Sequence, residues 1–124
     1  MSFNPAYYRE EAHAETLAAY EKHVAEMLEF LDPARLFGLG AEVAAHRIVS
    51  LEKELAAGHW DVVSPRDAVK TYNPCEFSEL PTMTRALLSG GNLPEHRVVN
   101  MMPSYLEHFE SLFTSERMAD WQLW

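Results

Sequence analysis

Along residues 9–31 the apolar positions Leu17, Tyr20, Val24, Met27, Leu28 and Leu31 recur at steps of three and four, with Glu15, Glu21, Lys22, Glu26 and Glu29 on the other faces. That period predicts a long amphipathic first helix over 9–31. Asp32-Pro33 should end it, because the residue before a proline is driven out of the helical region. The stretch LFGLG then makes a short connection, with Gly38 and Gly40 as turn residues. A second long helix follows over 41–57 on the stripe Ala41, Ala44, Ile48, Leu51 and Leu55, and Gly58 stands where a C-cap glycine belongs.

Beyond that point the periodic segments shorten. Ser64-Pro65 reads as an N-cap and first helical residue, and Asp67 in the first turn suits the helix dipole, so a short helix is expected over 65–71, closed by Asn73-Pro74. CEFSEL and MTRALLS read as two further short helices, the second ending at Gly90-Gly91. RVVNM at 97–101 is β-branched and reads as extended, with no evident partner strand. After Pro103, residues Leu106, Phe109, Leu112 and Phe113 keep a helical spacing up to Thr114, and Ser115 caps a last helix carrying Met118, Trp121 and Trp124.

The pattern therefore predicts an all-α fold, a compact array of two long and several short helices with at most one short extended segment near 97–101. It predicts a single helical domain over 1–124. The closing ADWQLW offers no Gly, Asn or basic last turn, so the expectation is a fragment whose last helix continues. The side chains of Met118, Trp121 and Trp124 would then form an apolar patch through which the chain self-associates.

Composition narrows the function. With 124 residues, 48% of them apolar, the chain can bury one core without disulfides or metal staples. A formal charge of −9 repels phosphate backbones and anionic headgroups, which argues against nucleic-acid and membrane partners. The single cysteine, Cys75, makes no internal disulfide, so a cytoplasmic location is expected. No stretch approaches ~18 uninterrupted apolar residues.

Several residues invite a catalytic or metal reading. Glu10 and His13 form a Glu-x-x-His pair, and Glu42 and His46 lie one helical turn apart, so each pair shares a helix face. A di-iron bundle needs two such Glu-x-x-His motifs and two further glutamates, and only one is present, so a solvated face is the better account and a metal-binding bundle the weaker one. No His-Glu-x-x-His occurs, which removes the helix-borne zinc site of most zinc peptidases. Cys75 has no histidine close in sequence, and neither a nucleophile elbow nor a phosphate-binding glycine loop appears. What remains is the elbow WDVVSPRDAVKTYNP. There Arg66 can pair with Asp61 or Asp67, Trp60 and Tyr72 can bury their rings, and Asn73 can cap a turn.

The stretch SLEKELAAGHWDVVSPRDAVKTYNPCEFSELP resembles a segment of neprilysin-like zinc metalloendopeptidases, which reads in outline Leu-Glu-x-x-Leu-Ala, then Arg-Asp, Tyr-Asn and a short helix. The flanks resemble the same family: NPAYYREEAHAETLAAYEKHVAEML opens on a Tyr-Tyr pair before a long helix, and VVNMMPSYLEHFESLF is followed by an Asp-Trp. The resemblance implies a piece of the non-catalytic helical domain that faces the catalytic domain across an internal cavity and limits which peptides reach the zinc. It implies zinc, the remainder of the peptidase and peptide substrates as features of a parent enzyme, with no catalytic or metal-binding residue in this piece. The elbow of Trp60, Asp61, Arg66, Asp67, Tyr72 and Asn73 would then hold that cavity wall rigid. The alternative from another class is a stand-alone acidic helical module that binds a protein partner.

Overall fold

The computed structural model describes residues 5–61, 63–91 and 97–124, so Val62 in the elbow and the chain after Gly91 as far as His96 lie outside the described residues. The backbone clusters into two compact units, one formed by residues 1–57 and 115–124 and the other by 58–114.

In the first unit, the helix expected over 9–31 is divided. Helix α1 (Ala6–Arg9) stops at Glu10, which is extended at φ −90° and ψ 130°; a 3-10 turn (Glu11–His13) leads into α2 (Ala14–Leu28). The cause lies in contacts that periodicity does not encode. Tyr8 Oη donates to Glu52 at 3.1 Å, and Arg9 Nε donates to the carbonyl of Ala56 at 2.8 Å, so α1 is tied to the next long helix on its own account. Asp32 is extended at ψ 127°, as a residue before proline should be, and its carboxylate caps the 3-10 turn Pro33–Leu36 by accepting from Ala34 N at 2.9 Å. Gly38 supplies a left-handed φ of 74° after Phe37, itself at φ 55°, and so reverses the chain into α3 (Ala41–Gly58).

Helix α3 is the spine of this unit. Ala44, Ile48, Leu51 and Leu55 are buried as the stripe predicted, but Ala45, Val49 and Ala56 are buried as well, so the helix is covered on two faces. Val49 and Leu51 are fully enclosed, each contributing ~1.5–3 kcal/mol of burial. Helix α7 (Met118–Leu123), preceded by the turn Ser115–Arg117, runs antiparallel to α3 through two ion pairs. Arg47 Nε donates to Asp120 at 2.5 Å, and Arg117 pairs with Glu54 about two turns further along α3. Arg117 occupies the N-cap place of α7 without a side-chain cap, so the helix starts two residues later than a Ser115 cap implied.

The second unit corrects the reading of CEFSEL. Residues Pro74–Glu76 form strand β1, antiparallel to β2 (Arg97–Val99) in the register Pro74↔Val99, Cys75↔Val98, Glu76↔Arg97. The segment expected to be extended at 97–101 thus has a partner over Arg97–Val99, and the described residues are helical with one two-stranded sheet. Only Phe77–Glu79 turns helically, as a 3-10 turn in which the Glu79 carboxylate accepts from Glu76 N at 2.7 Å. The short helix expected over 65–71 is also split, into a 3-10 turn Ser64–Arg66 and α4 (Ala68–Thr71). Helices α5 (Thr82–Ser89) and α6 (Pro103–Ser111) complete the unit, and Glu110 on α6 accepts from Met83 N at 2.9 Å and 3.1 Å to cap α5. Phe77, Leu80 and Leu112 are its buried apolar side chains.

Gly58 does not act as a left-handed cap. It lies inside the last turn of α3, and a Cβ there would stand 2.1 Å from His108 Cδ2 and 2.5 Å from His108 Cγ on α6. The glycine is required by close approach, not by backbone conformation. Gly58→Ala should therefore lower stability by ~1–3 kcal/mol in a urea titration. Adding His108→Ala should recover part of that loss; a double mutant whose losses simply add would show that the two residues do not meet.

Candidate functional site

The elbow is built from side chains that cap turns. The Asp61 carboxylate accepts from Ser64 N at 2.6 Å and Val63 N at 3.1 Å, and the Ser64 hydrogen bond is the main reason its pKa is lowered. Asp67 is itself the N-cap of α4, accepting from Val69 N at 2.9 Å and Lys70 N at 3.2 Å, rather than a first-turn residue of a longer helix. Both carboxylates are spent on backbone amides. Arg66 is accordingly exposed and has no ion pair among the described residues, and the expected pairing with Asp61 or Asp67 does not form.

The aromatic members divide. Trp60 is half-buried, donates from Nε1 to Ser104 Oγ at 2.8 Å, and carries the Lys70 ammonium 5.5 Å above its ring. Tyr72, expected to bury its ring, is 67% exposed. Asn73 does the joining: its Nδ2 donates to the Lys70 carbonyl at 2.8 Å and the Asn100 carbonyl at 3.0 Å, while its own carbonyl accepts from Asn100 N at 2.9 Å. It thereby extends the β1–β2 pairing into the end of α4.

A second polar centre, on the first unit, was not singled out by sequence reasoning. Glu52 accepts from Tyr8 Oη and Tyr20 Oη at 3.1 Å each and from Trp124 Nε1 at 3.2 Å. Trp121 and Trp124 meet edge to face, with centroids 5.9 Å apart. The available signal was the Leu-Glu-x-x-Leu-Ala outline, whose glutamate is Glu52. Burial, and then the Glu52 carboxylate, raise the pKa of both Tyr8 and Tyr20.

The metal candidates do not assemble. Half-buried His13 sits 3.7 Å from exposed Glu10, and His46 pairs with Glu21 at 2.9 Å rather than with Glu42. Among the described residues no three His, Cys, Asp or Glu side chains gather to hold a metal ion, so these residues do not fit a zinc centre. Cys75 is half-buried in β1 opposite Val98.

This helical scaffold, without a catalytic constellation among its described residues, matches known proteins over nearly its whole length. The N-terminal family model described as Peptidase family M13 covers residues 2–124. The chain belongs to peptidase family M13. The M13 chain is 36% identical to Mycobacterium tuberculosis zinc metalloprotease Zmp1 in an inhibitor complex, at a TM-score of 0.80, covering 98% of this chain and 19% of that one. It matches Zmp1 in an open state at a TM-score of 0.77, again at 36% identity, over 98% of this chain and 20% of that one. A partially open state matches at 0.72, with 36% identity over 98% and 19% of the two chains. The chain thus spans about a fifth of the length of the structures it matches. A search of curated proteins returned no match. The neprilysin-like resemblance drawn from the elbow and its flanks is correct.

Two measurements check these assignments. Asn73→Ala should lower the unfolding free energy by ~1–2 kcal/mol through its two lost carbonyl partners, whereas Arg66→Ala should stay within ~0.5 kcal/mol of the parent. For the Glu52 centre, the folded state holds the Tyr8 and Tyr20 protons more tightly than the unfolded chain does. That stabilisation is fully present below the unfolded tyrosine value of about 10 and is lost as pH rises toward the raised folded values. A stability profile should therefore fall above pH ~10, with a shallower fall in Tyr8→Phe.

Proposed function

We propose that this chain forms part of the helical, non-catalytic wall of a zinc metallopeptidase cavity, restricting which peptides reach a catalytic centre carried elsewhere. The observation that carries the reading is the M13 match across residues 2–124, joined to the lack of any gathered metal-ligand set among the described residues. The likeness to the zinc metalloprotease Zmp1 supports the peptidase side of this reading. Zinc, peptide substrates and the remaining length of the family's chain are the cofactor and partners this reading requires. Where that remainder is absent, Met118 and Trp124, 42% and 60% exposed, offer a patch with Trp121 for self-association. A cytoplasmic location, resting on the lone Cys75, belongs to the same proposal.

The test compares the isolated chain with a full-length family enzyme carrying this segment. The isolated chain should bind no stoichiometric zinc and hydrolyse no peptide. The full-length enzyme should show chelator-sensitive hydrolysis with an upper limit on peptide length. Loosening the wall with Arg47→Ala and Arg117→Ala should raise that limit while changing kcat on a short peptide less than about twofold. Chelator-sensitive hydrolysis by the pure isolated chain, or a length limit indifferent to the paired substitutions, would overturn the reading.

A further inference from the structure

A cleft of about 290 Å³ on the second unit lies against the Phe77–Glu79 turn and α5, lined by Glu76, Phe77, Ser78, Arg85, Ala86 and Ser89. Its one cation is left uncompensated. Among the described residues Arg85 has no carboxylate partner, its Nη2 reaches only Thr82 Oγ1 at a long 3.4 Å, and its Nε is buried without an acceptor. The carboxylate on the cleft wall is engaged elsewhere, since Glu76 faces Arg97 across the sheet at 3.4 Å. A guanidinium held in this way, in a chain of net charge −9, marks a place where an anionic group is missing.

We propose that this cleft binds the carboxylate of a peptide, with Arg85 as the anchoring cation. The planar guanidinium fork matches a carboxylate in bidentate geometry. The hydroxyls of Ser78 and Ser89 stand on the cleft wall as further donors, and Phe77 with Ala86 gives the ligand's stem an apolar surface. The negative field of the whole chain selects a monoanion over a phosphate dianion. The volume is at the lower end of ligand pockets, ~300–1,000 Å³, which suits one residue-sized group. A peptide's terminal carboxylate and an Asp or Glu side chain share this chemistry. The proposal concerns this chain's own residues and stands independently of the peptidase reading.

Amide-detected NMR titration of the 124-residue chain tests it. The probes are N-acetylleucine (terminal carboxylate only), N-acetylglutamic acid α-amide (side-chain carboxylate only), N-acetylglutamine amide (neither) and inorganic phosphate. At least one carboxylate probe should shift the amides of Ser78, Ala86 and Ser89 saturably in the millimolar range, and which one does so identifies the source. The glutamine amide should not. Arg85→Gln should weaken binding at least tenfold, while Lys53→Gln, removing an exposed charge on the other unit, should change it less than twofold. The proposal is overturned if neither carboxylate binds, if the shifts fall outside the cleft, if binding survives Arg85→Gln, or if phosphate binds more tightly than both. Because the wild-type shift pattern alone can decide against it, a poorly folded Arg85→Gln would not shelter the idea.

Discussion

The Glu52 carboxylate receives hydrogen bonds from three elements that are far apart in sequence: Tyr8 on α1, Tyr20 on α2 and Trp124 after α7. A carboxylate offers about four lone-pair sites, so three neutral donors nearly saturate it without a counter-charge. Neutral donors also make the cluster less sensitive to salt than an ion pair would be. Tyr8 and Tyr20 are amphipathic anchors, each setting a ring against protein while its hydroxyl finds the acid. Without Glu52, three polar groups lose one shared acceptor at once, which makes their contributions interdependent rather than additive.

Helix α3 can serve as a common backing because small residues sit where neighbours approach. Ala44, Ala45 and Ala56 are fully enclosed, and Gly58 admits the His108 ring within its own unit. Polar clasps then fix the direction of what packs on the spine. Arg47 with Asp120 and Glu54 with Arg117 select the antiparallel sense of α7, since reversing the helix would separate both pairs. A segment clasped at two points this way resists shear along the helix axis.

The long helices were legible because burial there follows period. The stripe through Ala44, Ile48, Leu51 and Leu55 is an intrinsic signal, and the structure places it inward. The β1–β2 pairing was not legible, because three-residue strands carry too little alternation to separate Cys75-Glu76 from the start of a helix, and their pairing is a non-local event. The break at Glu10 was hidden for a related reason: it is enforced by Tyr8 and Arg9 reaching α3, not by a proline or glycine. In the elbow, the partners of the acidic side chains differ from the expected ones. Asp61 and Asp67 each prefer nearby amides to Arg66, as short acidic side chains at turn starts commonly do.

The first unit is discontinuous along the chain: residues 115–124 complete what 1–57 begin, and 58–114 intervene. On a ribosome this imposes an order of events. The spine helix and the acceptor on Glu52 emerge early, but Asp120, Arg117 and Trp124 arrive only after the whole second unit has been synthesised, a delay of roughly three to eleven seconds at ~5–20 residues per second. During that interval the α7-facing side of α3 lacks its cover. Over that interval this unit is open to chaperones and to mispairing, and residues 115–124 act as the latch that closes it.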